Sequence, residues 1–144
     1  MEDGKSAMFY APDVVAILDR SAALAGIDLY IGDGATITRP MVRRRGRFLV
    51  GHTTIRAQLG WCREEGVTRA IFTHCGSEIV NGDGRRTAAR IRRLGRERGV
   101  DARIAHDGLS LTLPLATARK VNSRRALIPK PPDLRAAGVS YWGR

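Results

Sequence analysis

Four residues of this sequence have side chains and positions suited to metal chemistry. Asp13, His74 and His106 each follow a short apolar run, and His52 precedes a stretch with helical spacing. Aspartate oxygens and histidine nitrogens are common ligands of zinc and manganese when rigid backbone holds them. The strand ends of an α/β layer provide such backbone, and functional residues collect there. Asp13 and His74 are therefore candidate metal ligands.

Each of these residues, taken alone, also has a simpler interpretation. Asp13 precedes Val14 and can cap a helix that begins there. His74 can be a hydrogen-bonded core histidine. The sequence HDG that begins at His106 suits a hairpin turn. Both interpretations stay open for each residue on its own.

The elements that must position these residues alternate between strands and helices. Strands are predicted at 7–11, 28–32, 69–73, 101–105 and 109–113, and helices at 14–24, 53–65 and 84–98. Thr53 is the expected N-cap of the helix that follows His52. The basic segment 39–50 contains Pro40 and Gly46, which favours a loop. The alternation predicts an α/β fold with helices against a mixed sheet.

Three segments of the chain resemble the C-terminal half of metallo-β-lactamase-fold hydrolases, particularly the ribonuclease Z and cyclic-phosphodiesterase-like branch: FYAPDV, GHTTIRAQLGWCREEGV and RAIFTHCGSEIV. The resemblance extends over residues 8–113. It implies half of a four-layer αββα sandwich at 1–113, followed by a loosely ordered basic tail at 114–144. It also implies that Asp13 bridges two metal ions, that His74 binds the second ion, and that His52 protonates the leaving group. The implied ion is zinc, with manganese as the alternative.

The HxHxDH signature of that family does not occur in this sequence. Asp13 and His74 supply two ligands, whereas a catalytic zinc generally has three protein ligands and a water molecule. We therefore expect a truncated or split hydrolase domain that is inactive alone. A half carrying HxHxDH would complete it for the hydrolysis of phosphodiesters or related esters. We also expect the chain to associate with itself or with that half, because the inner face of its sheet would otherwise meet water.

The composition is strongly basic and gives a second hypothesis. Lysine and arginine number 25 against 14 acidic residues, a formal net charge of +11 that favours anionic partners. The arginines concentrate at 43–47 and 85–98, where they form either a solvated face or a phosphate-binding surface. The alternative function is thus a non-catalytic basic α/β module that binds nucleic acid or another anion. Aromatic residues make up only 6% and are not interleaved with the arginines in the sequence, which disfavours a stacking surface.

Length and hydropathy set the remaining expectations. A chain of 144 residues accommodates one compact domain. Its apolar runs are shorter than the roughly 20 residues that span a bilayer, and the first residues show no signal-peptide pattern, so we expect a cytoplasmic protein without membrane partners. Cys62 and Cys75 form no CxxC pair and are expected to be free thiols.

Overall fold

The computed structural model describes residues 6–113, which form two sheets and four helices. The strands are β1 Met8–Tyr10, β2 Leu29–Asp33, β3 Met41–Arg45, β4 Phe48–His52, β5 Arg69–Thr73 and β6 Asp101–Ile104; the helices are α1 Arg20–Leu24, α2 Ile55–Glu64, α3 Ser77–Val80 and α4 Gly84–Arg96. Strands β1, β2, β5 and β6 form a parallel sheet in that order, and β3 pairs with β4 in a separate antiparallel hairpin. This architecture confirms the predicted α/β class.

The hydrophobic core lies between one face of the parallel sheet and the helices. Tyr30, Ala70 and Ala102 are side by side in neighbouring strands and belong to the same buried cluster as Leu59 of α2 and Ile91 of α4. Every crossover steps in the same direction along the sheet. Since such crossovers are right-handed, all of them return on one face. The helices therefore cover a single face of the sheet.

The second face of the sheet is covered unevenly. Leu29 and Ile71 are buried there, and Leu111 lies beside them at the rim of a small cavity. On the edge strand β1, in contrast, Met8 is 53% exposed and Tyr10 is 63% exposed. An apolar strip along β1 is thus open to solvent.

Several predicted elements differ from the structure. The predicted helix at 14–24 is wrong, because only α1 is helical and its N-cap is Asp19, which accepts a hydrogen bond from Ala22. The predicted strand at 109–113 is also wrong, since that segment has no β partner among the described residues. Helix α2 begins after Thr54 rather than after Thr53. The predicted tail at 114–144 lies outside the described residues.

The predicted loop at 39–50 is in fact the hairpin β3–β4. Gly46 has a φ of 61° and is the first of two turn residues, as in a type II′ turn. The predicted strands at 7–11, 28–32, 69–73 and 101–105 and the helix at 84–98 are confirmed to within about two residues. No helix among residues 6–113 is long and apolar enough to cross a membrane.

Candidate metal centre

The carboxyl ends of the parallel strands bring the candidate residues to one edge of the sheet. Asp33 is the last residue of β2 and pairs with Thr73, the last residue of β5, so that His74 begins the adjacent loop. His52 ends β4 and enters the same region. One ligand atom each from Asp33, His52 and His74 lie within 4.8 Å of one another.

Asp33 is the centre of this cluster and is fully buried. Its Oδ2 lies 2.8 Å from Nδ1 of His52, and its Oδ1 lies 4.0 Å from Nδ1 of His74. The carboxylate also accepts hydrogen bonds from the backbone N–H groups of Ala35 at 2.8 Å and Val14 at 3.1 Å. Burying a carboxylate is costly unless hydrogen bonds compensate it, and this one has several hydrogen-bond partners.

Gln58 of α2 holds the backbone of Asp33 from the helix side. Its Oε1 accepts from the N–H of Asp33 at 2.9 Å, and its Nε2 donates to the carbonyl oxygen of Asp33 at 2.7 Å. Tyr30 donates its hydroxyl to the same Oε1 at 3.0 Å. All three residues are fully buried, so this network fixes the position of the Asp33 backbone relative to α2.

Two glycines let the loops after β2 and β5 touch through their backbones. Gly34 donates its N–H to the carbonyl of Thr73 at 2.6 Å, and Gly76 donates to the carbonyl of Gly34 at 3.2 Å. A Cβ at Gly76 would lie 2.1 Å from the carbonyl oxygen of Ala35, so only glycine fits there. This close approach sets Asp33 beside His74.

His74 has an unusual backbone conformation. Its φ is 53°, and within the described range it is the one non-glycine residue with positive φ. A left-handed conformation is uncommon for histidine and costs free energy unless the surroundings enforce it. The imidazole is about half exposed, and its ring centroid lies 5.3 Å from that of His52.

The structure brings all three sequence-predicted site residues to this edge. His52 and His74 belong to the cluster, and Asp13 is exposed beside it with Oδ1 3.3 Å from Nδ1 of His52. His106 lies outside the cluster. Its carbonyl accepts from Leu109 at 3.0 Å, so the segment forms a turn, but not the predicted hairpin, because 109–113 is not a strand.

Sequence reasoning missed Asp33 and Gln58. The sequence predicts a strand at 28–32 that leads into Asp33, but the metal role falls on Asp13, which follows the first predicted strand. The signal for Asp33 was the glycine that follows it, which permits a close backbone approach. The signal for Gln58 was a polar residue between Ile55 and Leu59 on the buried side of α2.

The thiol next to the cluster is not poised to ionise. Burial raises the pKa of Cys75 above its usual range, and the negative charge of Asp33 raises it further. Burial likewise raises the pKa of Cys62 to about 12. Both cysteines are free, as expected, and near neutral pH they remain protonated.

The donor set suits a transition-metal ion. Two imidazole nitrogens and one carboxylate oxygen form a catalytic zinc site in several enzymes, with bonds of about 2.0–2.2 Å. Ligand atoms around such an ion lie roughly 3.4 Å from one another, a separation between the 2.8 Å of the Asp33–His52 pair and the 4.0 Å of the Asp33–His74 pair. The imidazole of His74 is half exposed, whereas Asp33 is held by its hydrogen bonds.

Comparison of the chain with protein families, with curated proteins and with solved structures gives no match.

Proposed function

We propose that this chain provides part of a metal-dependent hydrolase centre in which Asp33, His52 and His74 hold a zinc ion. The observation that carries the proposal is the convergence of these three ligand atoms within 4.8 Å, at the carboxyl edge of a parallel sheet. Manganese is the alternative ion, since carboxylate and imidazole ligands suit both.

Asp33 takes the role that the family resemblance implied for Asp13. It lies at the end of a strand and precedes the GHTT segment, as the resemblance implied for Asp13, and unlike Asp13 it is buried and both of its carboxylate oxygens accept hydrogen bonds. Asp13 then lies at the rim, with its Oδ1 3.3 Å from Nδ1 of His52. The ligand count of the chain becomes three, enough for one zinc ion, whereas the two-metal centre that the resemblance implies still needs the ligands of HxHxDH.

The proposed reaction is hydrolysis of a phosphodiester or related ester. An ion at this site supplies Lewis acidity that activates a water molecule and stabilises developing negative charge. The residues of this chain orient the ion and, through the net charge of +11, attract an anionic substrate. A half that carries HxHxDH supplies the remaining ligands in the metallo-β-lactamase-fold arrangement.

Metal binding tests the proposal directly. We expect the purified full chain to bind one zinc ion and, with cobalt in its place, to show the absorption spectrum of a protein-ligated ion. His74→Ala should abolish both signals. His106→Ala removes a histidine outside the cluster and should leave both unchanged.

Three results of these experiments would distinguish between the interpretations of the site. Equal zinc binding by the His74→Ala and His106→Ala variants contradicts the assigned site. Zinc binding that survives His52→Ala but not His74→Ala makes His52 the proton donor implied by the resemblance rather than a ligand. Zinc-dependent cleavage of bis(p-nitrophenyl) phosphate by the chain alone, abolished by His74→Ala, contradicts the expectation that the centre is incomplete.

A further inference from the structure

The hairpin that leads into His52 is a separate, solvent-exposed arm. We define the arm as residues 41–52, of which 41–49 are all exposed. It forms its own two-stranded sheet and is not part of the parallel sheet. A free hairpin is only marginally stable in water, so a bound partner would stabilise the arm.

The arm carries a concentrated and unbalanced positive charge. It contains Arg43, Arg44, Arg45 and Arg47 and no acidic residue. None of these four guanidinium groups forms an ion pair with any residue of the described part of the chain. Several arginines of α4 differ in this respect, since Arg86, Arg90 and Arg93 each have an acidic partner. The arm arginines are therefore available to bind external anions.

The strand register sorts the arm into two different faces. Arg43 pairs with Val50 and Arg45 pairs with Phe48, and cross-strand partners project from the same face. Met41, two residues before Arg43, pairs with His52. One face thus carries two arginines and an aromatic ring and ends at the metal cluster; we call it the basic face.

The opposite face carries Val42, Arg44 and Leu49. Apolar side chains therefore occur on both sides of the arm, whereas a segment that lies flat on a membrane has them on one side. Pairing of two arms from two copies would bring eight arginines together without a counter-charge. Both considerations favour a flexible polyanion as the partner.

Phe48 indicates that this polyanion is a nucleic acid. Its ring is 61% exposed, and Arg47 lies over it with the guanidinium carbon 5.1 Å from the ring centroid. Exposed aromatic rings beside basic groups bind single strands, because bases stack on the ring while arginines bind phosphates. Arg47 and Phe48 are neighbours in the sequence, whereas only the register shows that Phe48 also lies opposite Arg45.

We propose that the basic face of the arm binds single-stranded nucleic acid, with phosphates at Arg43 and Arg45 and a base on Phe48. Binding itself needs no metal ion, so the test is made in the presence of a chelator.

The test measures fluorescence anisotropy of labelled oligo(U) of about 12 nucleotides. We expect Arg43→Gln to weaken binding at least about fivefold and to reduce the salt slope by about 0.7. Arg44→Gln is the matched control, since it removes the same charge from the neighbouring residue on the opposite face; we expect less than about a twofold loss. Phe48→Ala should weaken binding about tenfold at an unchanged salt slope.

Equal losses from Arg43→Gln and Arg44→Gln would overturn the proposal, because nonspecific attraction would explain both. Binding to polyglutamate or to phosphatidylserine vesicles with the same dependence on Phe48 would overturn it as well. Tighter binding of a duplex than of a single strand of the same length would also overturn the proposal. A failure here with intact zinc binding removes only the arm proposal, and intact oligonucleotide binding without zinc binding removes only the proposed metal centre.

Discussion

The side-chain amide of Gln58 binds both backbone polar groups of Asp33, one at 2.9 Å and the other at 2.7 Å. A buried helix residue thereby determines where the central carboxylate of the candidate metal centre lies. Gln58 is a positioning residue, since its side-chain hydrogen bonds are to Asp33, Tyr30 and Thr54 rather than to a ligand nitrogen.

Gln58→Leu is expected to reduce both stability and metal affinity. The change leaves the N–H and carbonyl of Asp33 without these partners, which costs about 2–4 kcal/mol of unfolding free energy. Zinc affinity should fall about 10–100-fold, as when other groups that orient metal ligands are lost. Urea denaturation and zinc titration measure the two effects.

Tyr30→Phe is the matched control for Gln58→Leu. It removes one hydrogen bond to Gln58 and leaves the two bonds to Asp33 in place. We expect a loss of about 1 kcal/mol and unchanged zinc affinity. Wild-type zinc affinity in Gln58→Leu would show that Gln58 has a structural role alone.

Gly76→Ala is expected to separate the two loops of the site. The new Cβ would lie 2.1 Å from the carbonyl oxygen of Ala35. Backbone must move, at a cost of about 1–3 kcal/mol, and His74 should no longer approach Asp33. Thermal denaturation and zinc binding of the variant report the two consequences.

Gly60→Ala tests the same substitution where space is open. Gly60 lies within α2, and a Cβ there meets nothing within 4 Å. The variant should gain about 0.5–1 kcal/mol, since alanine is the better helix former. If the two alanine variants have equal stability, the close contact at Gly76 is not as described.

Alkaline pH is expected to destabilise the fold through Cys62. Burial raises the pKa of this thiol from 9.0 to about 12, so the folded chain keeps its proton while the unfolded chain loses it. The stability that this group contributes is complete below pH 9 and is lost between pH 9 and about 12. The slope is at most about 1.4 kcal/mol per pH unit.

The measurement is urea denaturation at a series of pH values above neutrality. Cys62→Ala should show a shallower decline than the wild type from pH 9. Tyr30→Phe should flatten the curve only above pH 10, the ordinary value of the tyrosine hydroxyl, since burial raises that pKa too. Identical curves for all three proteins would contradict these buried ionisations.

The exposed strip on β1 is expected to cause association. Met8 and Tyr10 lie on an edge strand with no further strand beside it in residues 6–113. Tyr10→Lys introduces a charge into this strip and should convert a self-associated wild type to monomer. Sedimentation velocity of the full chain, and of a version ending at Leu113, tests this. A wild type that is monomeric at both lengths contradicts the expectation.

The sequence predicted best those elements whose apolar residues are buried by the sheet and helices. Strand β5 has three consecutive buried residues, Ala70, Ile71 and Phe72, and an uninterrupted apolar run indicates such a strand. The hairpin β3–β4 has no such apolar run, because both of its faces are exposed. Consecutive arginines in β3 also remove any alternation of polar and apolar residues. A basic segment of this kind looks like a loop until its pairing is known.

The failed helix prediction at 14–24 has a tertiary cause. Val14 donates its N–H to Oδ2 of Asp33 and accepts at its carbonyl from Thr53. Its backbone groups therefore bind residues that are distant in sequence instead of completing a helical turn. The same contacts explain why Asp33 was overlooked: apart from the glycine that follows Asp33, local sequence does not distinguish the two aspartates, and the burial of Asp33 depends on residues distant in sequence.

The order of strands in the parallel sheet is also their order along the chain. Each strand after β1 thus pairs with a strand that has already been synthesised. No strand has to be inserted later between two strands that are already paired. The residues of the candidate metal centre all precede Cys75, so synthesis of α4 and β6 adds core and an outer strand without adding a ligand. Growth of the sheet from one edge therefore lets its strands pair in the order in which translation produces them.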